Sequence, residues 1–186
     1  MEVLDNIYQH SDCQEVTMGI YLDLQKAFDT VNHTILIKKL EIYGIRGTVL
    51  QWFMSYLSNR RQYTVLLNHE SDSELITYGV PQGSVLGPLL FLIYMNDIQY
   101  AVPNAKIRLF ADDTNLFLHN NDFVNLFGTA NISMSQLSEW FIANRLSLNL
   151  KKTCYSIFGP KQRVRSGYHL YIDGQQVQKK HNVANI

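Results

Sequence analysis

Cysteine is scarce in this sequence: Cys13 and Cys154 are the only two. Their separation matches neither a metal-ligand spacing nor a disulfide framework, so a reducing compartment is the default reading. No apolar run reaches the ~18 residues of a membrane-spanning helix. The opening Met1-Glu2-Val3-Leu4-Asp5 does not read as a secretory leader. These absences lead us to expect no membrane partner and an intracellular site rather than secretion. Internal repeats and low-complexity linkers are also missing. So is net charge, since 16 Lys and Arg balance 16 Asp and Glu. The total therefore gives no sign of a strongly basic nucleic-acid binder. What is present suits a folded globular domain: 186 residues, 46% hydrophobic and 17% charged.

The charge is unevenly placed. Residues 1–100 carry six basic and eleven acidic side chains, whereas residues 101–186 carry ten basic and five acidic. From Arg145 onward, eight basic residues face Asp173 alone. A basic end beside an acidic body suits either a phosphate-facing flank or a solvated tail.

The most informative stretch is Phe110-Ala111-Asp112-Asp113-Thr114. Two adjacent acids lie between the apolar runs 107–110 and 116–118, which predicts a β-hairpin with the acids at its turn. Upstream, residues 3–10 read as a helix with Val3, Leu4, Ile7 and Tyr8 on one side. The run 18–24 reads as a strand buried on both faces. Asp23, near its end, must pair, bind a cation or reach the surface.

Two helices are expected next, one with Leu36, Leu40 and Tyr43 on a face and Gly44 as its stop, the other with Val49, Trp52, Phe53 and Tyr56. Segments 63–67 and 75–78 read as paired strands joined by a polar loop holding His69, Glu70 and Asp72. A glycine-punctuated loop, 79–88, leads into a helix that is apolar nearly all round, with Pro88 in its first turn. After the acidic hairpin come a long helix from about Asp122 to Arg145, a strand over 154–158, and a hairpin turning at Asp173-Gly174.

This order predicts an α+β fold: a split β-α-β (ferredoxin-like) antiparallel sheet with helices on one face. The first strand then lies beside the hairpin, and Asp23 approaches Asp112. Acids so gathered need cations to offset their repulsion. Oxygen-only ligands select hard ions, and Mg²⁺ binds through one or two carboxylates plus substrate phosphates. Two such ions support in-line phosphoryl displacement, so metal-assisted nucleotidyl transfer is the expected chemistry.

The residues also match a family. Tyr21-Leu22-Asp23-Leu24-Gln25-Lys26-Ala27-Phe28-Asp29 resembles the first catalytic motif of reverse transcriptases. Gly79 to Phe91 resembles their Pro-Gln-Gly motif, and Phe110-Ala111-Asp112-Asp113 resembles their Tyr/Phe-Ala-Asp-Asp box. The wording around them is similar to non-LTR, LINE-type (jockey-like) retrotransposons, from about Met18 to Ile172.

The resemblance implies an RNA-directed DNA polymerase that adds dNTPs to a DNA primer 3′-OH on an RNA template. It implies two Mg²⁺ ions, with Mn²⁺ as a substitute. Asp23 and Asp112 would be the main metal ligands and Asp113 would complete the acidic pair. Leu24 would touch an ion through its backbone. Phe28 would stand against the sugar 2′ position and exclude ribonucleotides. Gln82 and Gly83 would line the incoming nucleotide and the template base. Lys152, in Asn149-Leu150-Lys151-Lys152-Thr153, would neutralise or protonate the leaving pyrophosphate.

Residues 1–186 are then expected to be one reverse transcriptase domain fragment, with fingers, thumb and endonuclease largely missing and 160–186 beginning an incomplete primer-grip and thumb region. The alternatives are a truncated, inactive remnant of such an element, a nucleic-acid-binding module without catalysis, and a group II intron maturase.

Overall fold

A seven-residue strand, β1 (Val16–Leu22), runs through the middle of the principal sheet. The computed structural model describes residues 2–159 and 167–180, and these divide into two compact units. The first holds Glu2–Gln25, Asp97–Ala143 and the described residues from Ser147 onward.

In this first unit α1 (Glu2–Asp12) leads into β1, and the short α5 (Ile98–Ala101) leads into β6 (Lys106–Phe110) and β7 (Asp113–Asn120). The 21-residue α6 (Phe123–Ala143), β8 (Cys154–Phe158) and the small strands β9 (Tyr171–Ile172), β10 (Gln175–Gln176) and β11 (Gln178–Lys179) follow. The sheet order is β11-β8-β1-β7-β6. β1 is antiparallel to both β7 and β8, and β6 to β7, as expected; β11 adds a parallel edge to β8. The sequence reading did not anticipate β11, which is too short to leave a pattern.

Alternation sorts the sheet into two faces. Met18, Ile20, Leu22, Leu116, Leu118, Tyr155 and Ile157 are buried on one of them. α6 covers this face with Leu126, Phe127, Ala130, Met134, Leu137 and Phe141, and Phe127 meets Tyr155 edge-on with ring centroids 5.9 Å apart. Side chains so buried contribute ~1.5–3 kcal/mol each relative to exposure. Asp122 caps α6 by accepting from the Asn125 N–H at 3.0 Å.

The opposite face carries Thr17, Tyr21, Arg108, Asn115, Phe117 and His119, and α1 packs against its far end. A helix on this second face departs from the one-face expectation. The helical stripe foreseen for α1 is also thinner than read: Ile7 is buried, but Leu4 and Tyr8 are 55% and 48% exposed. α1 is held as much by ring stacking as by apolar burial.

The last hairpin turns at Asp173 (φ 49°) and Gly174 (φ 73°), as its sequence predicts. It is pinned to α6, where Ser138 Oγ donates to Asp173 Oδ1 at 2.6 Å and Asn131 Oδ1 accepts from the Tyr171 N–H at 2.8 Å.

The second unit, Lys26–Asn96 with Asn144–Leu146, opens on a single 3-10 turn at Ala27–Asp29. It then holds α2 (His33–Ile42), α3 (Gly47–Leu57) and α4 (Leu86–Met95). Asn32 caps α2, accepting from the Ile35 N–H at 3.0 Å. Leu36 and Leu40 are fully buried, whereas Tyr43 is 42% exposed. Lys39, also on α2, is buried: its ammonium donates to the Tyr94 carbonyl at 2.6 Å and lies 4.9 Å above the Tyr94 ring.

The paired strands foreseen over 63–67 and 75–78 are replaced by two smaller ladders. β2 (Arg61–Gln62) pairs with β5 (Glu74–Leu75), and β3 (Val65–Leu66) pairs with β4 (His69–Glu70). The cause is local: Leu67 and Asn68 both take positive φ (47° and 66°), a tight hairpin turn that draws His69 and Glu70 out of the expected loop into a strand. α4 is less enclosed than its composition implies, since Leu89 and Leu92 are 50% and 43% exposed while Leu90, Phe91, Tyr94 and Met95 are buried. Among the described residues no helix is long and apolar enough to cross a membrane.

Candidate active site

Asp23 directly follows β1, and the ladder fixes what lies opposite. Leu22 pairs with Thr114 as the last pair of the antiparallel ladder, so Asp23, which follows Leu22, and Asp113, which precedes Thr114, lie at the same end of the sheet. Asp112 sits in the two-residue loop between Phe110 and Asp113, which close the β6–β7 hairpin as a pair. The first loop residue, Ala111, adopts φ 53°, the left-handed conformation such turns require. A residue with a Cβ pays ~1 kcal/mol for that geometry, so the turn stores modest strain beside the acids. The three carboxylates thus come from one strand end and the adjoining turn.

The Asp23 backbone is tied down from two sides. Its carbonyl accepts from the Asn149 N–H at 2.8 Å, and its N–H donates to Thr153 Oγ1 at 3.4 Å. The Gln25 N–H donates to the Ser147 carbonyl at 2.9 Å and its side-chain amide to the Leu148 carbonyl at 3.1 Å, while Leu24 bridges Leu148. Leu24 is buried at 7% exposure, so its side chain serves the core while its backbone belongs to this bridge. The segment 147–153 is thereby clamped along Asp23–Gln25. Its turn, in which the Asn149 carbonyl accepts from the Lys152 and Thr153 N–H groups, brings the Lys152 ammonium to 3.9 Å from Asp23 Oδ2.

The sequence reading missed Asn149 and Thr153. Both lie inside the Asn-Leu-Lys-Lys-Thr stretch, and an Asn at a turn was the available signal. It also missed Thr114, whose hydroxyl is buried beneath the acids with no hydrogen-bond partner. On the same face as Asp113, the Tyr21 hydroxyl has its pKa raised by burial and by Cys154, against a hydrogen bond with Ser156 that lowers it.

The remaining predicted residues belong to the second unit. Phe28 packs on Phe91 with ring centroids 4.7 Å apart and is half-buried. Gln82 is exposed and donates from its amide to Asp29 Oδ1 at 2.8 Å. Gly83 takes φ 78°, so its lack of a side chain is a backbone requirement.

The loop ahead of α4 is built on close approaches. The Gly79 N–H donates to the Val31 carbonyl and the Val80 N–H to the Phe28 carbonyl, each at 2.8 Å. A Cβ on Gly79 would meet Asp29 backbone at 2.9 Å, and one on Gly87 the Pro81 carbonyl at 2.6 Å. Ser84 ties the loop to the helix, donating to the Pro81 carbonyl at 2.7 Å and accepting from the Gly87 N–H at 2.9 Å. These contacts give the glycine–proline pattern of 79–88 its physical reason: backbone lies directly on backbone.

Comparison with known proteins gives one consistent answer. The family model described as "Reverse transcriptase (RNA-dependent DNA polymerase)" matches residues 2–181. The chain is 30% identical over 168 residues to the probable RNA-directed DNA polymerase from transposon BS of Drosophila melanogaster, covering 82% of this chain and 18% of that protein. It is 33% identical over 111 residues to the RNA-directed DNA polymerase from mobile element jockey of the same organism, covering 54% and 12%. A Pol polyprotein from the type-1 retrotransposable element R2 of Popillia japonica is 28% identical over 150 residues, covering 74% and 24%. Among solved structures, apo telomerase from Candida tropicalis, truncated from the C-terminal domain, aligns with a TM-score of 0.60 at 13% identity, covering 95% of this chain and 38% of that one. Telomerase from Candida albicans aligns at 0.61 and 13%, covering 95% and 32%. At such identities the likeness is one of fold. The chain spans less than a quarter of the length of these curated relatives.

Proposed function

Because the chain belongs to the reverse transcriptase family, we propose that it supplies the polymerase palm of a non-LTR retrotransposon RNA-directed DNA polymerase. Its sheet is read as the split β-α-β arrangement of such a palm. The reaction is transfer of a deoxynucleotide to a DNA primer 3′-OH on an RNA template, carried out inside the cell, in nucleus or cytoplasm, without a membrane. The observation that supports this reading is the ladder ending at Leu22–Thr114, next to Asp23 and Asp113, with Asp112 in the adjoining turn and Lys152 beside Asp23.

Asp23, Asp112 and Asp113 offer only carboxylate oxygens, the donor set that hard divalent ions take, so these residues fit Mg²⁺ or Mn²⁺. Two bound ions would supply Lewis-acid stabilisation of the attacking and leaving oxygens. Asp23 and Asp112 would hold them, Asp113 would add negative charge, and the Leu24 backbone would contribute an oxygen. The Lys152 ammonium, 70% exposed on its side chain, is free to swing from Asp23 towards a leaving pyrophosphate and to give it a proton. Phe28 guards the sugar 2′ position. Gln82 and Gly83 line the nucleotide and the template base.

The direct test is dNTP incorporation on a primed RNA template with Mg²⁺. Incorporation by the wild-type chain that falls by at least ~10²-fold, the scale of losing transition-state electrostatics, in Asp112→Asn supports the reading. Incorporation equal in Asp112→Asn and wild type would sink it.

A further inference from the structure

The two histidines of the first unit that flank the end of β1 are brought together with a glutamate far along the sheet from the catalytic acids. His10 is in the last turn of α1, Glu15 immediately precedes β1, and His119 is in β7 opposite Thr17. Gln14, at φ 60°, reverses the chain between helix and strand, and the Glu15 N–H donates to the His10 carbonyl at 2.9 Å. That reversal carries the Glu15 carboxylate to 2.6 Å from His10 Nδ1. The His119 ring stacks on His10 with centroids 3.6 Å apart and planes 20° from parallel. One potential ligand atom from each residue lies within 4.8 Å of the other two, the one such trio among the described residues.

We propose that His10, Glu15 and His119 form a binding site for a divalent transition-metal ion, Zn²⁺ in the first instance, that fastens α1 to the sheet. Two imidazole nitrogens and one carboxylate are a borderline donor set. It suits Zn²⁺, which binds His at ~2.0–2.1 Å and carboxylate at ~2.0–2.2 Å, and it is poor for Mg²⁺. Three protein ligands leave a fourth position for water. The stack must open on ligation, the two rings turning apart about their soft terminal torsions so that both nitrogens face one point. The ion would take the place of the direct His10 Nδ1–Glu15 contact, with both groups as its ligands. The neutral form that ligation needs is favoured at His119, whose pKa is lowered chiefly by partial burial and then by His10, against Glu15, which raises it.

Lys106 and Arg108 line the same cavity of about 260 Å³ and oppose a cation there. The Lys106 ammonium is drawn aside to Asn6 Oδ1 at 3.4 Å. The site rests on residues that the polymerase reading does not use, so it stands or fails separately from that reading.

The test is calorimetric titration of the chelator-treated chain with Zn²⁺ in the presence of Mg²⁺, together with thermal melting and the visible absorption of Co²⁺. One equivalent of Zn²⁺ should bind, raise the melting temperature and give a Co²⁺ spectrum of tetrahedral type. His119→Gln, at an exposed position chosen to preserve the fold, should weaken binding at least tenfold and abolish that spectrum. Asp112→Asn and Cys13→Ser should bind as wild type does. No Zn²⁺ binding by the folded wild-type chain, equal binding by His119→Gln, or loss of binding in Asp112→Asn each overturns the proposal.

Discussion

The Lys152 ammonium lies 3.9 Å from Asp23 Oδ2, although 128 residues separate the two in sequence. Asn149 holds both partners, donating to the Asp23 carbonyl and accepting from the Lys152 N–H. So exposed a pair contributes little to stability, and its value is positional. Lys152→Gln should leave the urea midpoint unchanged while lowering the rate of nucleotide incorporation by ~10²-fold, the usual scale for a lost general acid. A wild-type rate in Lys152→Gln would remove Lys152 from the chemistry.

Phe28 is half-buried against Phe91, so shortening it exposes space at the ring edge without emptying a core. Phe28→Val should raise the use of ribonucleotides relative to deoxyribonucleotides by about tenfold, the size of a steric discrimination worth ~1.4 kcal/mol. Competition between rNTP and dNTP in primer extension measures this, and an unchanged ratio would count against the sugar-filter role.

Three glycines in this chain should respond to alanine in opposite directions. Gly128 lies inside α6, and an alanine Cβ there would have nothing within 4 Å, so Gly128→Ala should stabilise by ~1 kcal/mol, the helix-propensity difference. Gly87 is also helical, yet its Cβ would stand 2.6 Å from the Pro81 carbonyl, so Gly87→Ala should destabilise by ~1–3 kcal/mol, the scale of overpacking. Gly79→Ala should do the same, for it adds a clash with Asp29 backbone to a φ of +85°. Denaturant midpoints of the three variants decide the matter.

Stability in the presence of a chelator should fall on mild acidification. His119 has a lowered pKa in the folded chain, so between that value and the ordinary ~6.5 the unfolded chain binds more protons. Stability is therefore fully present above ~6.5 and declines as pH falls through that window. The groups facing His119 are the His10 ring, the Glu15 carboxylate, and Lys106 and Arg108 across the cavity. His119→Gln should flatten the slope of melting temperature against pH between about 5 and 7; an equal slope in both proteins would assign it elsewhere.

Much of this protein could be read in one dimension. The acidic doublet between two apolar runs and the Asp173-Gly174 turn are local events, set by the conformational needs of a few adjacent residues. The order of motifs carried the family in the same way. Pairing was partly legible: the run before Asp23 and the two runs around the acidic doublet read as strands, and all three lie in one antiparallel ladder.

What only the tertiary structure decided lies where distant segments meet. Lys39 is buried because Tyr94 offers it a carbonyl and a ring, and nothing within α2 announces that. Asn149 and Thr153 grip Asp23, and His10 stacks on His119, through contacts that no periodicity records. Helix and strand patterns come from interactions a few residues apart, whereas the grip on Asp23 and the histidine stack depend on chain closure over a hundred residues or more and exist only once the sheet has assembled.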